Sequence, residues 1–390
     1  MNYPTYFLLL IFICTFLGFL VSLYSNDIYD DLTEKNMHNN YMNYSYTEEE
    51  LQNLIKEKEK ELRNSDQERQ KILEAEIIRL KNELKLEKDS KKENITISTK
   101  NGKPLLACSY ALDNGFVYPT LVAITSLVEN AGNKIFYNIY LLCPPDFKQK
   151  NKNILLTIKN KYPDRCDIIF INMGDKFKGS DSDERIPIAS YYRLDLPDLL
   201  PDVDRIIYMD GDTLVLHELS ELITIDMKGN FVLGFPDSAP GALLKFGIKS
   251  SVYICAGVIL MDLEAMRKDH TTEKFKGFIE ANLGNIEQHD QTTINYMLHG
   301  KISALPPEYG MWNFRNAEET LYHNRIQPHS IKYDEEKLLT AYFHPYILHY
   351  VRCKPFQKVK PQQYYMVNEW WKYAEKCDYY DEINKMYVRP

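Results

Sequence analysis

From Lys103 onward the chain alternates short apolar runs with runs of helical period, and this alternation limits the fold more than any other feature. PLLACSY (104–110), KIFYNIYLL (134–142), CDIIFIN (166–172), RIIYM (205–209) and AGVILMDL (256–263) read as strands. VYPTLVAITSLVEN (117–130) and KQKNKNILLTIKNKY (148–162) read as helices between them. Such an order predicts an α/β fold with a mostly parallel sheet covered by helices on both faces. In sheets of this kind ligands gather at the carboxyl ends of strands. Asp113 follows the first strand, and Asp210 and Asp212 follow RIIYM, so all three are expected in one cleft. Two carboxylates beside a core are costly unless something positive meets them. Gly211 between them is expected to let the chain bend and to leave room for a ligand. Hard oxygen donors suit Mg2+ or Mn2+, cations that bridge the phosphate oxygens of a nucleotide.

Length and charge narrow the class further. The 390 residues suffice for one large catalytic domain with appendages. A net charge of -8 with no basic stripe excludes a general nucleic-acid binder. The seven cysteines include no CxxC pair and no Cys/His spacing of a zinc site. Burial is expected for each, and any pairing in an oxidising compartment stays open.

Ahead of this domain the chain changes texture twice. Residues 5–24 carry no charge over a length that crosses a bilayer as a helix, so residues 1–24 are expected to form a short tail and a signal-anchor. Residues 25–102 then form a stem, with sequons at Asn43 and Asn94 that suit a lumenal setting. The expectation is a single-pass type II membrane protein of the Golgi or another secretory lumen. Within the stem, residues 47–90 lack Pro and Gly and place Leu51, Ile55, Leu62, Leu73, Ile77, Leu80 and Leu84 on one register. Lys58, Asp66 and Arg69 interrupt it. This reads as an imperfect coiled coil that could join two copies, or as a solvated helix that pairs with nothing.

Six motifs occur in order between residues 104 and 356: YALDNGF (110–116), SYYRLDLPDLLPDVDRIIYMDGDTLV (190–215), VLGFPDS (232–238), CAGVILMDL (255–263), QHDQTTIN (288–295) and LHYVRCKPF (348–356). In these the chain resembles the retaining glycosyltransferases of family 8, which include the glycogenins and bacterial lipopolysaccharide galactosyl- and glucosyltransferases. The resemblance implies a GT-A, Rossmann-like domain over residues 103–390, a UDP-sugar donor, a carbohydrate-bearing acceptor and Mn2+ as the usual cation. By the same resemblance Asp210, Asp212 and His349 would hold the metal, and Lys354 would contact the diphosphate. Ala111, Leu112, Asp113 and Phe116 would surround the nucleoside, with Gly211 in the metal-binding turn. Arg193, Asp237, Asp290 and Gln291 would lie around the donor sugar and acceptor as the catalytic set. Asp290 and Gln291 are the candidates for a nucleophile if retention proceeds by double displacement.

Two departures from the family pattern stand out. Cys255 replaces an asparagine, which removes an amide expected near the sugar. The last motif is one residue shorter, with Phe356 in place of tryptophan. Bland readings exist for several residues. Asp290 could start a helix, His349 could be a core histidine, and Arg193 could pair with Asp195 or Asp198 at the surface. The Trp and Phe of WNFRN (312–316) could be core or acceptor site. Two rival functions also remain at this stage. One is a catalytically degenerate transferase kept as a binding or scaffold protein. The other is a haloacid dehalogenase-like phosphatase, which MDGDTLV also resembles and in which Asp210 would be the nucleophile.

Overall fold

A computed structural model describes residues 97–180, 187–237, 241–248, 252–326, 332–351, 353–357, 365–387 and 389, with single positions between 53 and 81. Its larger sheet is centred on β2 (Lys103–Ala111), to which β1 (Thr99–Lys100) adds a short antiparallel flap. Strand β2 runs parallel to β3 (Phe136–Cys143) on one side and to β5 (Arg205–Met209) on the other, and β4 (Cys166–Asn172) continues parallel beyond β3. Helix α1 (Val117–Asn130) connects β2 to β3, and α2 (Gln149–Lys161) connects β3 to β4. Apart from β1, each of these elements coincides closely with a run named above.

Side chains on the strands alternate between two hydrophobic clusters, as the period of two requires. Leu106, Cys108, Tyr110, Ile207 and Met209 enter one cluster, while Ala107, Ile206 and Tyr208 enter the other. The first cluster contains α1, which buries nearly every residue from Val117 to Val128. A helix apolar on all sides belongs inside, and Trp370 and Trp371 are buried in the same cluster as α1. The second cluster is closed by α3 (Thr271–Ala281) and α4 (His289–Met297).

Beyond β5 the sheet departs from the expected parallel arrangement. Strand β8 (Ile254–Asp262) is antiparallel to both β5 and β7 (Val232–Pro236), and β9 (Ile302–Ala304) is parallel to β7. The order is β4-β3-β2-β5-β8-β7-β9, a mixed sheet. Between β5 and β8 the chain leaves to build a second sheet instead of returning through one helical crossover, so nothing forces β8 to run parallel. That second sheet has the order β10-β11-β6, from Met311–Trp312, Ile347–His349 and Thr213–Val215 respectively. Strand β6 starts directly after Asp212. Its antiparallel register sets Thr213 opposite His349, and Tyr350 N donates to Asp212 O at 3.0 Å. Helix α5 (Val367–Ala374) buries Trp370 and Trp371 completely in the cluster shared with α1. Trp312 and Phe314 are also buried, so the aromatics of WNFRN are core.

The cysteines follow the burial expectation. Cys108, Cys143, Cys166, Cys255, Cys353 and Cys377 are all buried and free. The expected membrane topology is not supported. Among the described residues no helix is long and apolar enough to cross a membrane, which does not fit a single-pass type II protein. The run at 5–24, Cys14 and both sequons lie outside the described residues. The coiled-coil expectation also lacks support. Ile77 is the seam residue that is described, and it is only 6% exposed within the single chain. A seam awaiting a second copy would leave it open. The other seam residues lie outside the described residues.

Candidate functional site

The site begins with a turn that two sheets hold from both ends. Strand β5 ends at Met209, Asp210-Gly211-Asp212 follow, and β6 starts at Thr213. Asp210 N donates to Gly257 O of β8 at 2.7 Å, and Thr213 Oγ1 donates to Asp210 O at 2.8 Å. Gly211 is buried in this turn. A Cβ there would overlap Thr120 Oγ1 and lie 2.9 Å from Phe116 Cδ1 on α1 and its approach. Close packing on α1 therefore excludes a side chain, where the sequence suggested room for a ligand.

The β6–β11 register brings His349 to the pair. His349 Nε2 lies 3.3 Å from Asp212 Oδ1 and 3.9 Å from Asp210 Oδ2. Ligand atoms of Asp210, Asp212 and His349 all lie within 4.8 Å of one another. Each carboxylate has one oxygen engaged elsewhere. Asp210 Oδ1 accepts from Tyr208 Oη at 2.9 Å and faces Arg193 Nη2 at 3.1 Å, and Asp212 Oδ2 takes Lys354 Nζ. Asp212 Oδ1 is buried and accepts no hydrogen bond. Such an atom is costly unless a ligand meets it. The space between the His349 ring and Asp210 is kept open by Gly257. A Cβ at that position would run into the His349 ring and lie 2.7 Å from Asp210 Oδ2. Two carboxylate oxygens and an imidazole nitrogen make a donor set that fits Mn2+ or Mg2+.

Electrostatics matches this geometry. Burial opposes ionisation of Asp212, yet the Lys354 ammonium and His349 outweigh it and hold the carboxyl well below the usual range. Burial likewise opposes a charge on His349, while the Asp212 carboxylate pushes it up to about 10.

Behind the pair, Arg193 leaves the 3-10 helix Ile188–Asp195 and is 4% exposed. Its Nε lies 3.0 Å from Asp290 Oδ2 but donates to Ser190 O at 2.8 Å, so Asp290 Oδ2 is paired in charge without an aligned hydrogen bond. The guanidinium also sits 4.2 Å above the Tyr208 ring, a cation–π contact. Burial works against its charge, and the Asp210 and Asp290 carboxylates more than restore it. Burial pushes the Asp290 carboxyl up, and Arg193 offsets only part of this. Asp195, offered above as a surface partner for Arg193, instead pairs with Lys176 and Lys276. Asp290 sits in the first turn of α4 and is buried there. Beside it, Gln291 is held at both ends: Ala256 N donates to its Oε1 at 3.0 Å, and its Nε2 donates to Asp237 Oδ2 at 2.8 Å.

The chain matches the model for glycosyl transferase family 8 over residues 107–359. It belongs to this family. The family 8 chain is 33% identical over 131 residues to general stress protein A of Bacillus subtilis, a match covering 32% of this chain and 45% of that protein. It is 24% identical over 212 residues to a lipopolysaccharide 1,2-glucosyltransferase of Escherichia coli, covering 52% of this chain and 61% of the relative. The chain thus spans about half the length of the curated relatives it matches. Among solved structures, the galactosyltransferase LgtC in complex with donor and acceptor sugar analogues superposes with a TM-score of 0.57 at 20% identity, over 70% of this chain and 96% of that one. The likeness supports a GT-A-like α/β fold.

The nucleoside-side expectations fall on the adjacent strand end of this family 8 domain. Ala111 closes β2, Leu112 is buried, and Asp113 Oδ1 accepts from Gly115 N and Phe116 N at 2.7 and 3.1 Å. Asp113 lines a pocket of about 380 Å3 with Asp146, Ile188 and Tyr192. Phe116 meets Phe356 edge to face at 5.7 Å, so the shortened last motif still packs against the first. A second opening of about 480 Å3, between Phe246 and Met297, does not include these residues. Three contributors escaped the sequence reading. Tyr208 and Gly257 stood inside quoted motifs and went unremarked. Asn295 clamps Ile254 through both backbone groups at 2.8 Å, a role no local pattern announces.

Proposed function

We propose that residues 103–390 form the catalytic domain of a metal-dependent retaining glycosyltransferase. It would move a hexose of glucose or galactose type from a UDP-sugar to a glycan, glycoprotein or glycolipid acceptor. The observation that carries this reading is the convergence of Asp210, Asp212 and His349, with the buried Asp212 Oδ1 accepting no aligned hydrogen bond. Relatives whose names describe glucosyl and galactosyl transfer support the hexose.

In this reading Asp210, Asp212 and His349 would hold Mn2+ or Mg2+. When bound, the cation offsets charge building on the departing diphosphate. Lys354, partly exposed beside Asp212, shares in that task. Asp113, which lines the pocket past β2, would take the nucleoside, with Ala111, Leu112 and Phe116 nearby in the chain. The pairs Arg193–Asp290 and Gln291–Asp237 would offer polar groups to the sugar, whose hydroxyls both donate and accept. Asp290 and Gln291 are each engaged by protein partners. This favours a front-face path, in which the leaving phosphate takes the acceptor's proton, over attack by either side chain.

The test is UDP release from a panel of UDP-sugars with Mn2+ present. Asp212→Asn is expected to cut the rate by at least about a hundredfold, the scale of one lost charge-stabilising group. An unchanged rate overturns the metal assignment. If the unaltered chain binds UDP with Mn2+ yet transfers no sugar, the degenerate binding protein becomes the better account. The phosphatase alternative has little support, because Asp210, its required nucleophile, has Oδ1 engaged by Tyr208 and Arg193.

A further inference from the structure

Strand β8 touches the candidate metal site through three consecutive residues. Gly257 leaves space in front of the carboxylates and its carbonyl receives Asp210 N. Ala256 receives Arg193 and donates to Gln291. Cys255 is 7% exposed, and its Sγ lies 3.8 Å from His349 Nδ1. The opposite ring nitrogen, Nε2, faces Asp212 Oδ1 at 3.3 Å, and that oxygen is buried with no hydrogen bond. A cation bound among these atoms needs the Nε2 lone pair, which places the ring proton on Nδ1. The atom waiting at Nδ1 is the Cys255 sulfur.

We propose that Cys255 is a positioning residue. Its sulfur accepts the His349 Nδ1–H, fixing the ring tautomer and orientation in which Nε2 meets a divalent cation. The inference rests on the metal-site reading above. Imidazole ligands are normally oriented by a carboxylate, carbonyl or water at the second nitrogen, and losing such a partner costs about 10–100-fold in metal affinity. A thiol is a weaker acceptor than any of these, and it can also turn its own hydrogen toward Nδ1. In that second arrangement the ring proton sits on Nε2, against Asp212 Oδ1. Cation binding then requires the proton to change nitrogen and the thiol to rotate. The position at which this chain departs from the family pattern therefore acts on the metal ligand.

The full-length chain, stripped of metal, would be titrated with Mn2+ and the free aquo ion followed by electron paramagnetic resonance. Cys255→Ala is expected to weaken binding by about tenfold or more, and Cys255→Ser to recover it to within about threefold, because a hydroxyl oxygen also accepts the N–H. Melting of the metal-free variants checks that both are folded. Should Cys255→Ala lose a cooperative melt, Cys255→Val, apolar and larger, serves in its place with the same expectation. Asp212→Asn separates the two levels of inference. Weakened binding in Asp212→Asn with unchanged binding in Cys255→Ala overturns the role of Cys255 alone. Unchanged binding in Asp212→Asn overturns the metal site and the proposal with it. Equal weakening in Cys255→Ala and Cys255→Ser also counts against the proposal, since shape and not acceptance would then be what matters.

Discussion

Gly257 shows how one missing side chain can set a site's dimensions. A Cβ at this position would lie 2.8 Å from His349 Nε2, closer than real Cβ atoms come. Gly257→Ala is expected to displace the ring and lower Mn2+ affinity by about tenfold, the scale of misplacing one ligand, while the chain still folds. Metal titration beside thermal melting measures both parts. Arg193 presents the opposite case, a buried charge between Asp210 and Asp290. Arg193→Ala leaves those carboxylates unmatched and is expected to cost about 3–5 kcal/mol in urea unfolding, as removal of one buried ion partner does. Most of these residues stood in motifs visible along the chain. What the motifs lacked was direction: Arg193 could equally have reached Asp195, and only packing shows that Lys176 and Lys276 already occupy that carboxylate.

At the scale of elements, helix α4 and strand β8 act as one unit. Asn295 is fully buried and bonds Ile254 N, Ile254 O and Gln291 O, each at 2.8 Å. Gln291, one turn earlier, bonds Ala256 N at 3.0 Å. Asn295→Ala would strand two backbone groups of β8 in the core, and a loss of about 1–3 kcal/mol is expected for each buried group left unpaired. Hydrogen exchange should then speed up at Ile254 and Ala256 while β2 and β3 keep their protection; uniform protection across the sheet would sink this coupling. Strands β2 to β5 and helices α1 and α2 were legible because each carries its own period. The short strands β6, β10 and β11 were not. Two or three residues hold no period, and their pairing joins segments far apart in the chain.

For the whole molecule, charge divides into a rim that favours neutral pH and an interior that resists it. Lys100 and Lys159 hold Asp167 below its ordinary range, and Lys274 does the same for Asp269. A depressed carboxyl stabilises the fold above its unfolded pKa, and that contribution is lost as pH falls through the folded one. Asp290 and Glu308 behave oppositely, since burial raises both. Their contribution is complete below the unfolded pKa and is lost as pH rises through the folded one. Urea midpoints from pH 7 down to pH 3 are therefore expected to fall below about pH 4, where the rim carboxyls protonate. Asn substitution at Asp167 and Asp269 should shrink that fall, and an undiminished fall would show that other groups drive it. The alternating domain from Lys103 onward, the carboxylate pair at the end of β5 and, through motif order, the family could all be read along the chain. Those features are local: a strand's period, a turn's composition and the spacing of motifs all reside in neighbouring residues. Packing between distant segments is what turns β8 antiparallel, makes Gly257 leave room for the site and sets the Cys255 sulfur against His349. These depend on distances between segments roughly fifty to a hundred residues apart, which close packing fixes and linear order leaves free.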